Sequence, residues 1–348
     1  MNENLFSIAQ RLVKNHSLSL SEYEELVSGY SEDVKEYLKV EAVKARKAVY
    51  GNQVYIRGLI EISNVCKNNC LYCGIRGGNE NCQRYRLRHE EIMLCCVKGY
   101  DSGFRTFVLQ GGEDNYYDDE FLCTLITEIK EKCPGCAVTL SLGERSSISF
   151  NMLFNAGADR YLLRHESADK ELYEKLHPQN MSYENRMECL KELKKIGYQV
   201  GCGFMVGAPY QTTEHIARDL KFIEEFKPDM CGIGPFIPHK DTVFKNEKSG
   251  SADLTCYLLS IIRLIHPNIL LPATTALGTV ESDGRERGIL SGANVVMPNL
   301  SPASVRKKYD LYDNKASTGA EDALHLNELK EKMENIGYEV VVSRGDAK

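Results

Sequence analysis

The sequence predicts an α/β protein: a (β/α)8 TIM barrel over 51–302, preceded by a helical extension (1–50) and followed by a C-terminal cover segment (303–348). Three observations carry this. Eight short, apolar, β-rich runs follow one another between Val54 and Pro298. Seven segments of helical period lie between or after them. The length, 348 residues, suits one barrel with additions. Strands joined through helices run parallel, and eight such units argue for a closed ring. A doubly wound open sheet is the alternative that the periodicity leaves open.

The first fifty residues read as two or three helices. Ser19 with Glu22, and Ser21 with Glu24, have capping-box spacing, and Ser31 opens an amphipathic run to about Tyr50. After Gly51 the period changes. The predicted strands are 54–62, 105–110, 137–142, 159–164, 199–207, 229–234, 268–273 and 293–298. The predicted helices are 89–102, 119–132, 147–156, 183–196, 212–226, 252–265 and 284–291. From about Ser304 the chain is polar, with a helix expected over 321–336 and a short VVVS run after it.

Hydrophobic residues are 43% of the chain and charged residues 26%, enough apolar material for a full core. The net charge of −6 offers no general attraction to nucleic acid. Lys191, Lys194 and Lys195 fall inside a helical pattern and read as a solvated face. MNENLFSIAQ lacks a signal-peptide core, and no apolar run reaches membrane-spanning length. The expectation is a cytoplasmic protein with neither a nucleic-acid nor a membrane partner. Of thirteen cysteines, most (Cys95, Cys96, Cys189, Cys231 and Cys256 among them) sit in apolar surroundings and read as small buried thiols of a reducing, anaerobic cytoplasm.

Barrel chemistry collects at the C-terminal strand ends. After the first strand comes SNVCKNNCLYCG, residues 63–74, with Cys66, Cys70 and Cys73 spaced C-x3-C-x2-C. Thiolates suit zinc or an iron–sulfur cluster. A structural zinc takes four ligands. The nearest further thiol is Cys82, nine residues on, so zinc with Cys82 stays open. Three thiolates on a 4Fe–4S cube would instead leave one iron free for a substrate or cosubstrate.

That loop, with Tyr72 before its last cysteine and GGE at Gly111, Gly112 and Glu113 after the second strand, resembles the signature of radical S-adenosylmethionine (SAM) enzymes. The resemblance implies that SAM takes the open iron and is cleaved reductively to methionine and a 5′-deoxyadenosyl radical. Further blocks are EISNVCKNNCLYCG, RYR (84–86), VLQGGED, VTLSLGE, DRYLLRHES, MVGAPYQT, GIGPFIPHKDT, PATTALGT and GANVVMPN. Spread over most of 50–302, they resemble the HydE-type family of FeFe-hydrogenase maturases.

This resemblance implies roles residue by residue. Cys66, Cys70 and Cys73 would bind one 4Fe–4S cluster. Tyr72 and Gly111–Glu113 would meet SAM's adenine and amino group, and Thr139 and Ser141 would line its pocket. Glu166 and Arg186 would contact its ribose and carboxylate; Ser182, a suitable N-cap, would put Arg186 in a first helical turn. Gln110, Arg160, Thr274, Thr275 and Tyr309 would line a deeper substrate cavity. Without the resemblance, Glu166 reads equally as a loop cap, Arg186 as a surface arginine, and Thr274 and Thr275 as turn closers.

The implied substrate is a small organometallic iron–cysteine precursor bearing CO and cyanide. The implied partners are sister maturases of the HydG and HydF types and a reductant such as ferredoxin or flavodoxin. In one respect the chain departs. Some family members carry three more cysteines near the C-terminus for a second cluster. Here the matching stretch, YDNKASTGAEDALHL, has none, and no cysteine follows Cys256, so no second cluster is expected. The competing readings are a methylornithine synthase-like mutase acting on an amino-acid-derived substrate, and a non-catalytic iron–sulfur carrier. Biotin synthase fits less well, because its additional barrel cysteine ligands are not found.

Overall fold

The computed structural model describes residues 3–315 and 325–348. Its first helices are α1 (Glu3–Asn15), α2 (Leu20–Ser28) and α3 (Glu32–Tyr50). The Ser19 box forms: the Ser19 hydroxyl accepts the Glu22 amide at 3.3 Å, and the Glu22 carboxylate accepts the Ser19 amide at 2.8 Å. Ser21 lies inside α2, so the second predicted box does not form. The apolar faces of these helices, through Leu5, Leu12, Leu26 and Leu38, join the same core as the barrel. Arg46 in α3 is fully buried and donates to the carbonyls of Ala293, Gly51 and Gln53 at 3.1, 2.8 and 2.6 Å, tying the extension to the barrel wall.

The predicted first strand bends at Arg57 into β1 (Gln53–Ile56) and β2 (Gly58–Ser63). There follow α4 (His89–Asp101), β3 (Thr106–Gly111), α5 (Asp119–Lys132), β4 (Ala137–Ser141), α6 (Ser147–Asn155), β5 (Arg160–Leu162), α7 (Lys170–Leu176), α8 (Tyr183–Ile196) and β6 (Gln199–Cys202). Then come β7 (Met205–Val206), α9 (Thr213–Phe226), β8 (Met230–Cys231), β9 (Gly234–Pro235), α10 (Ala252–Ile265), α11 (Thr275–Val280), α12 (Gly284–Leu290), β10 (Val295–Val296) and α13 (Ala303–Arg306). The last elements are α14 (Leu326–Asn335) and β11 (Glu339–Val341). The first predicted residues of the tail helix, 321–324, lie outside the described residues.

A parallel sheet runs β2-β3-β4-β5-β6-β8. Parallel bridges Met230–Leu270, Pro272–Val295 and Leu59–Asn299 carry the ring through 270–272 and the eighth segment back to β2. The barrel is therefore closed, and the open-sheet alternative falls. The predicted seventh strand, 268–273, is reduced to bridge contacts because side chains take its ladder bonds. Arg263 donates to Ile269 O at 2.6 Å, and Asn294 Oδ1 accepts the Leu271 amide at 2.9 Å. The predicted strand 199–207 breaks at Gly203, whose φ is +154°; a Cβ there would sit 2.0 Å from the Gly232 carbonyl oxygen.

The floor of the barrel corrects one expectation. Arg160 is the first residue of β5 and pairs with Gln199, the first residue of β6. It is fully buried and donates to Thr106 Oγ1 (3.0 Å), Gln199 Oε1 (3.0 Å), Arg344 O (2.9 Å) and Asp346 Oδ1 (2.5 Å). It thus closes the end opposite the cysteine loop and does not line the substrate cavity. After β11, which pairs with β1, the tail passes beneath the ring. Burial pushes the Asp346 carboxyl upward, but Arg344 and Arg160 outweigh it and hold the group well below the usual carboxylate range.

Asp346→Asn should lower stability by about 1–3 kcal/mol at neutral pH, because a buried guanidinium loses its charged partner. A depressed carboxyl contributes above its unfolded value of about 4 and less as pH falls through its folded value. The gap between variant and wild type in urea denaturation should therefore narrow in acid; equal stability at pH 7 would contradict the pairing.

Candidate active site

Between β2 and α4 the chain makes a long loop over the barrel mouth, held by two side chains. Asn64 Nδ2 donates to Gln83 O (3.0 Å) and Lys308 O (2.7 Å), while its Oδ1 accepts the Tyr85 amide (2.8 Å), pinning the loop's start to its end. The Arg84 guanidinium donates to the carbonyls of Asn64, Ile75, Arg76 and Asn79 at 2.5, 2.8, 2.6 and 3.1 Å. Gly74 is needed for closeness: a Cβ there would meet Asp310 O at 2.2 Å and the His239 ring at 2.5 Å.

Folded this way, Cys66, Cys70 and Cys73 line one cavity of about 350 Å³. Burial raises all three thiols. Cys73 is pushed up to about 12 by burial, and Cys70 well up by burial and then by Cys73 and Cys66. Buried thiols that repel one another as anions suit a cationic metal centre, which takes the thiolate form. Among the described residues, the set of three candidate ligand atoms that closes within 4.8 Å is His239, Asp310 and Asp313, not the three cysteines. The sulfurs stand wider than the common sphere of one zinc, whose Zn–S bonds are about 2.3 Å. Cys82 lines a separate crevice beside Asn79 and His239. The donor set fits a multi-iron cluster with three protein thiolates, and Cys82 is not part of that cavity's wall.

The GGE turn lies against this loop. A Cβ on Gly112 would come within 2.3 Å of Val65 O and 2.7 Å of Cys66 Cβ. The Lys67 amide donates to Glu113 O at 2.9 Å, and Glu113 Oε1 accepts the Glu144 amide at 3.0 Å. Gly143, at φ +76°, has no room for a Cβ, which would overlap the Glu113 carboxylate at 2.1–2.4 Å. Gly111, Gly112, Glu113 and Ser141 line the cavity. Thr139 does not; it lies two residues below Ser141 on β4, buried, with its hydroxyl unpartnered.

Across the mouth, Ser182 caps α8 by accepting the Asn185 amide at 3.2 Å, which puts Arg186 in the first turn. Arg186 is buried, not a surface arginine; its Nε donates to Glu144 Oε1 and its Nη1 to Arg164 O, both at 2.6 Å. Tyr72 is fixed by His177. The ring's Nδ1 meets Tyr173 O at 2.8 Å and so carries the hydrogen, leaving Nε2 to accept the Tyr72 hydroxyl at 3.2 Å. Burial lowers His177 to about 4, keeping it neutral. Glu166 lies four residues beyond the end of β5, at φ +62°. Its Oε2 forms an ion pair with Arg164 Nη2 at 3.2 Å, with neither atom in a well-directed hydrogen bond. A buried acceptor and donor left in this state face the cavity ready for a polar ligand.

Deeper in, Gln110, Thr274, Thr275 and Tyr309 line the same cavity, and Gln110 donates to the Tyr309 hydroxyl at 3.3 Å. Three charged lining residues went unread in the sequence: Arg164, Glu61 and Lys315. Glu61, fully buried, accepts from Asn299 Nδ2 at 2.9 Å and forms an ion pair with Lys315, whose Nζ also donates to Tyr309 O at 3.0 Å. A lone acid within the apolar run VYIRGLIEI was the available signal for Glu61, and the position of Arg164 at a strand's C-terminal end was the signal for that residue. Nothing local marks Lys315.

The sequence pattern of the Radical SAM superfamily matches residues 60–223. The FeFe-hydrogenase maturase subunit HydE of Thermotoga maritima is 45% identical over 296 residues, spanning 85% of this chain and 84% of that protein. The 3-methylornithine synthase of Methanosarcina acetivorans is 29% identical over 339 residues, 97% of this chain and 94% of that one. A crystal structure of methylornithine synthase (PylB) superposes with a TM-score of 0.83 at 27% identity, covering 96% of this chain and 97% of the other. With three cysteines, the GGE turn and a closed barrel already converging on one cavity, the chain belongs to the HydE-type family of radical SAM enzymes.

Proposed function

We propose that this protein is a maturase that helps assemble the active-site cluster of FeFe hydrogenase, acting on a small iron–cysteine precursor. The observation that carries the reading is the convergence of Cys66, Cys70, Cys73, the GGE turn, Glu166 and Arg186 on a single cavity, in a chain 45% identical to a protein named as such a maturase. When bound, a reduced 4Fe–4S cluster and SAM supply a 5′-deoxyadenosyl radical, directed in this reading at the precursor's sulfur.

The chain's own residues bind and orient. The three thiolates hold the cluster. Glu113, fixed by the Glu144 amide, accepts SAM's ammonium, and Arg186 faces its carboxylate. Glu166 Oε2, which accepts no well-directed hydrogen bond, takes the ribose hydroxyls. Arg164, Thr274, Thr275, Gln110 and Tyr309, with the Glu61–Lys315 pair, form the polar lining of the substrate end. The floor network closes the lower end of the barrel, and the cover segment contributes Tyr309 and Lys315 to the cavity wall.

The cysteine-free tail supports a single cluster. The precursor would come from a HydG-type maturase, the product would pass to a HydF-type one, and the electron would come from ferredoxin or flavodoxin, all in the cytoplasm. No helix among the described residues is long and apolar enough to cross a membrane. A methylornithine synthase-like mutase is the second reading, supported by that enzyme's near full-length superposition.

Reconstituted protein should carry about four irons per chain, the content of one cube. Cys70→Ala should lose the cluster and Cys82→Ala should keep it; about eight irons, or loss in Cys82→Ala, would refute the one-cluster, three-ligand site. In vitro hydrogenase maturation should fail without this protein or with Cys70→Ala, and undiminished activity in either case would sink the assignment. Incubation with lysine and SAM should yield no methylornithine. Lys315→Met should cut maturation at least about tenfold, about 1.4 kcal/mol in barrier, while substrate-free 5′-deoxyadenosine formation persists.

A further inference from the structure

Glu166 is one of the few residues besides glycine with a left-handed backbone, φ +62°. Such a conformation persists in a non-glycine residue only where the surroundings over-determine it. Here they do so from both sides. The Glu166 amide donates to Gly203 O at 3.0 Å, and the Gly203 amide donates to Nδ1 of the preceding His165 at 3.2 Å. With Nδ1 accepting, the His165 hydrogen is on Nε2, 3.2 Å from Asp219 Oδ1. The same Oδ1 accepts the amide of Ala168, two residues after Glu166, at 2.6 Å.

His165 and Asp219 are both fully inaccessible to solvent. On α9, Asp219 lies among Ile216, Ala217, Leu220 and Ile223, an otherwise apolar buried face. Asp219 there satisfies two buried donors, the His165 Nε2 hydrogen and the Ala168 amide, which an apolar replacement would leave unpaired. It is absent from the cavity wall, whereas Glu166 is on it.

We propose that Asp219 is a positioning residue: through His165 and the Ala168 amide it holds the turn that presents the Glu166 carboxylate to the SAM ribose before the cofactor arrives. This rests on the reading that Glu166 contacts SAM. One oxygen, Oδ1, does all the work in this arrangement, so the device needs an acceptor and not a charge. Asp219→Asn keeps that oxygen, and Asp219→Leu removes it.

The experiment measures the SAM dissociation constant of the reconstituted holoprotein, together with the change in the reduced cluster's electron paramagnetic resonance spectrum on SAM addition. Asp219→Leu should weaken SAM about tenfold, with iron content and the SAM-free spectrum unchanged, and Asp219→Asn should stay within about threefold of wild type. Glu166→Gln should weaken SAM, and combining it with Asp219→Leu should add little. Wild-type affinity in Asp219→Leu, or Asn as damaging as Leu, overturns the proposal. Wild-type affinity in Glu166→Gln instead overturns the reading of Glu166 itself. Should the leucine variant fail to fold, hydrogen exchange on the wild type decides. Protected amides across 163–169 before SAM is added support a preformed turn, and protection gained only with SAM refutes it.

Discussion

The barrel mouth depends on a cage of backbone carbonyls around the Arg84 guanidinium. The loop carrying the three cysteines belongs to no helix or strand; turn bonds such as Cys73 N to Cys70 O and Gly77 N to Asn68 O serve part of its backbone, and the rest must still be satisfied where it is half buried. Arg84 gathers carbonyls from four points along the loop, and Asn64 joins its ends. The loop that carries the thiols is thus fixed by protein–protein bonds. Everything facing the thiols is then set by close approach: Gly112 lets the second loop touch the first, and Gly143 lets the third accept Glu113. Preorganisation of this kind lowers the ordering cost of binding a cluster and a flexible cofactor.

Much of this was legible in the sequence because the relevant signals are local. Helices α5, α8 and α10 coincide with their predicted spans, since a capping residue (Asp118, Ser182, Ser251) precedes a 3.6-residue apolar rhythm. The cysteine loop and GGE announce themselves by spacing. What escaped was set by side chains outside the run being read. The seventh strand dissolves into bridges because Arg263 and Asn294 supply its hydrogen bonds. Lys315 meets Glu61 across 254 positions.

Arg160 is the instructive miss. RYLLR, residues 160–164, has an arginine at each end, and parallel strands all point the same way. The arginine that opens such a strand belongs to the floor, and the one that closes it belongs to the mouth. Strand polarity alone would have exchanged Arg160 for Arg164, which lines the cavity.

One feature of the cover reaches into the timing of biogenesis. The segment after the eighth strand seats Leu311 O on the Gly74 amide and Lys308 O on Asn64, and it inserts Tyr309 and Lys315 into the cavity, while residues 343–348 stop the floor. Both stoppers lie C-terminal to the whole ring. A ribosome delivers the ring first. For that interval the nascent ring lacks Tyr309 and Lys315 at its mouth and the Arg344 and Asp346 contacts at its floor. The full polar lining of the cavity and the closed floor therefore form only after every strand of the ring has been made.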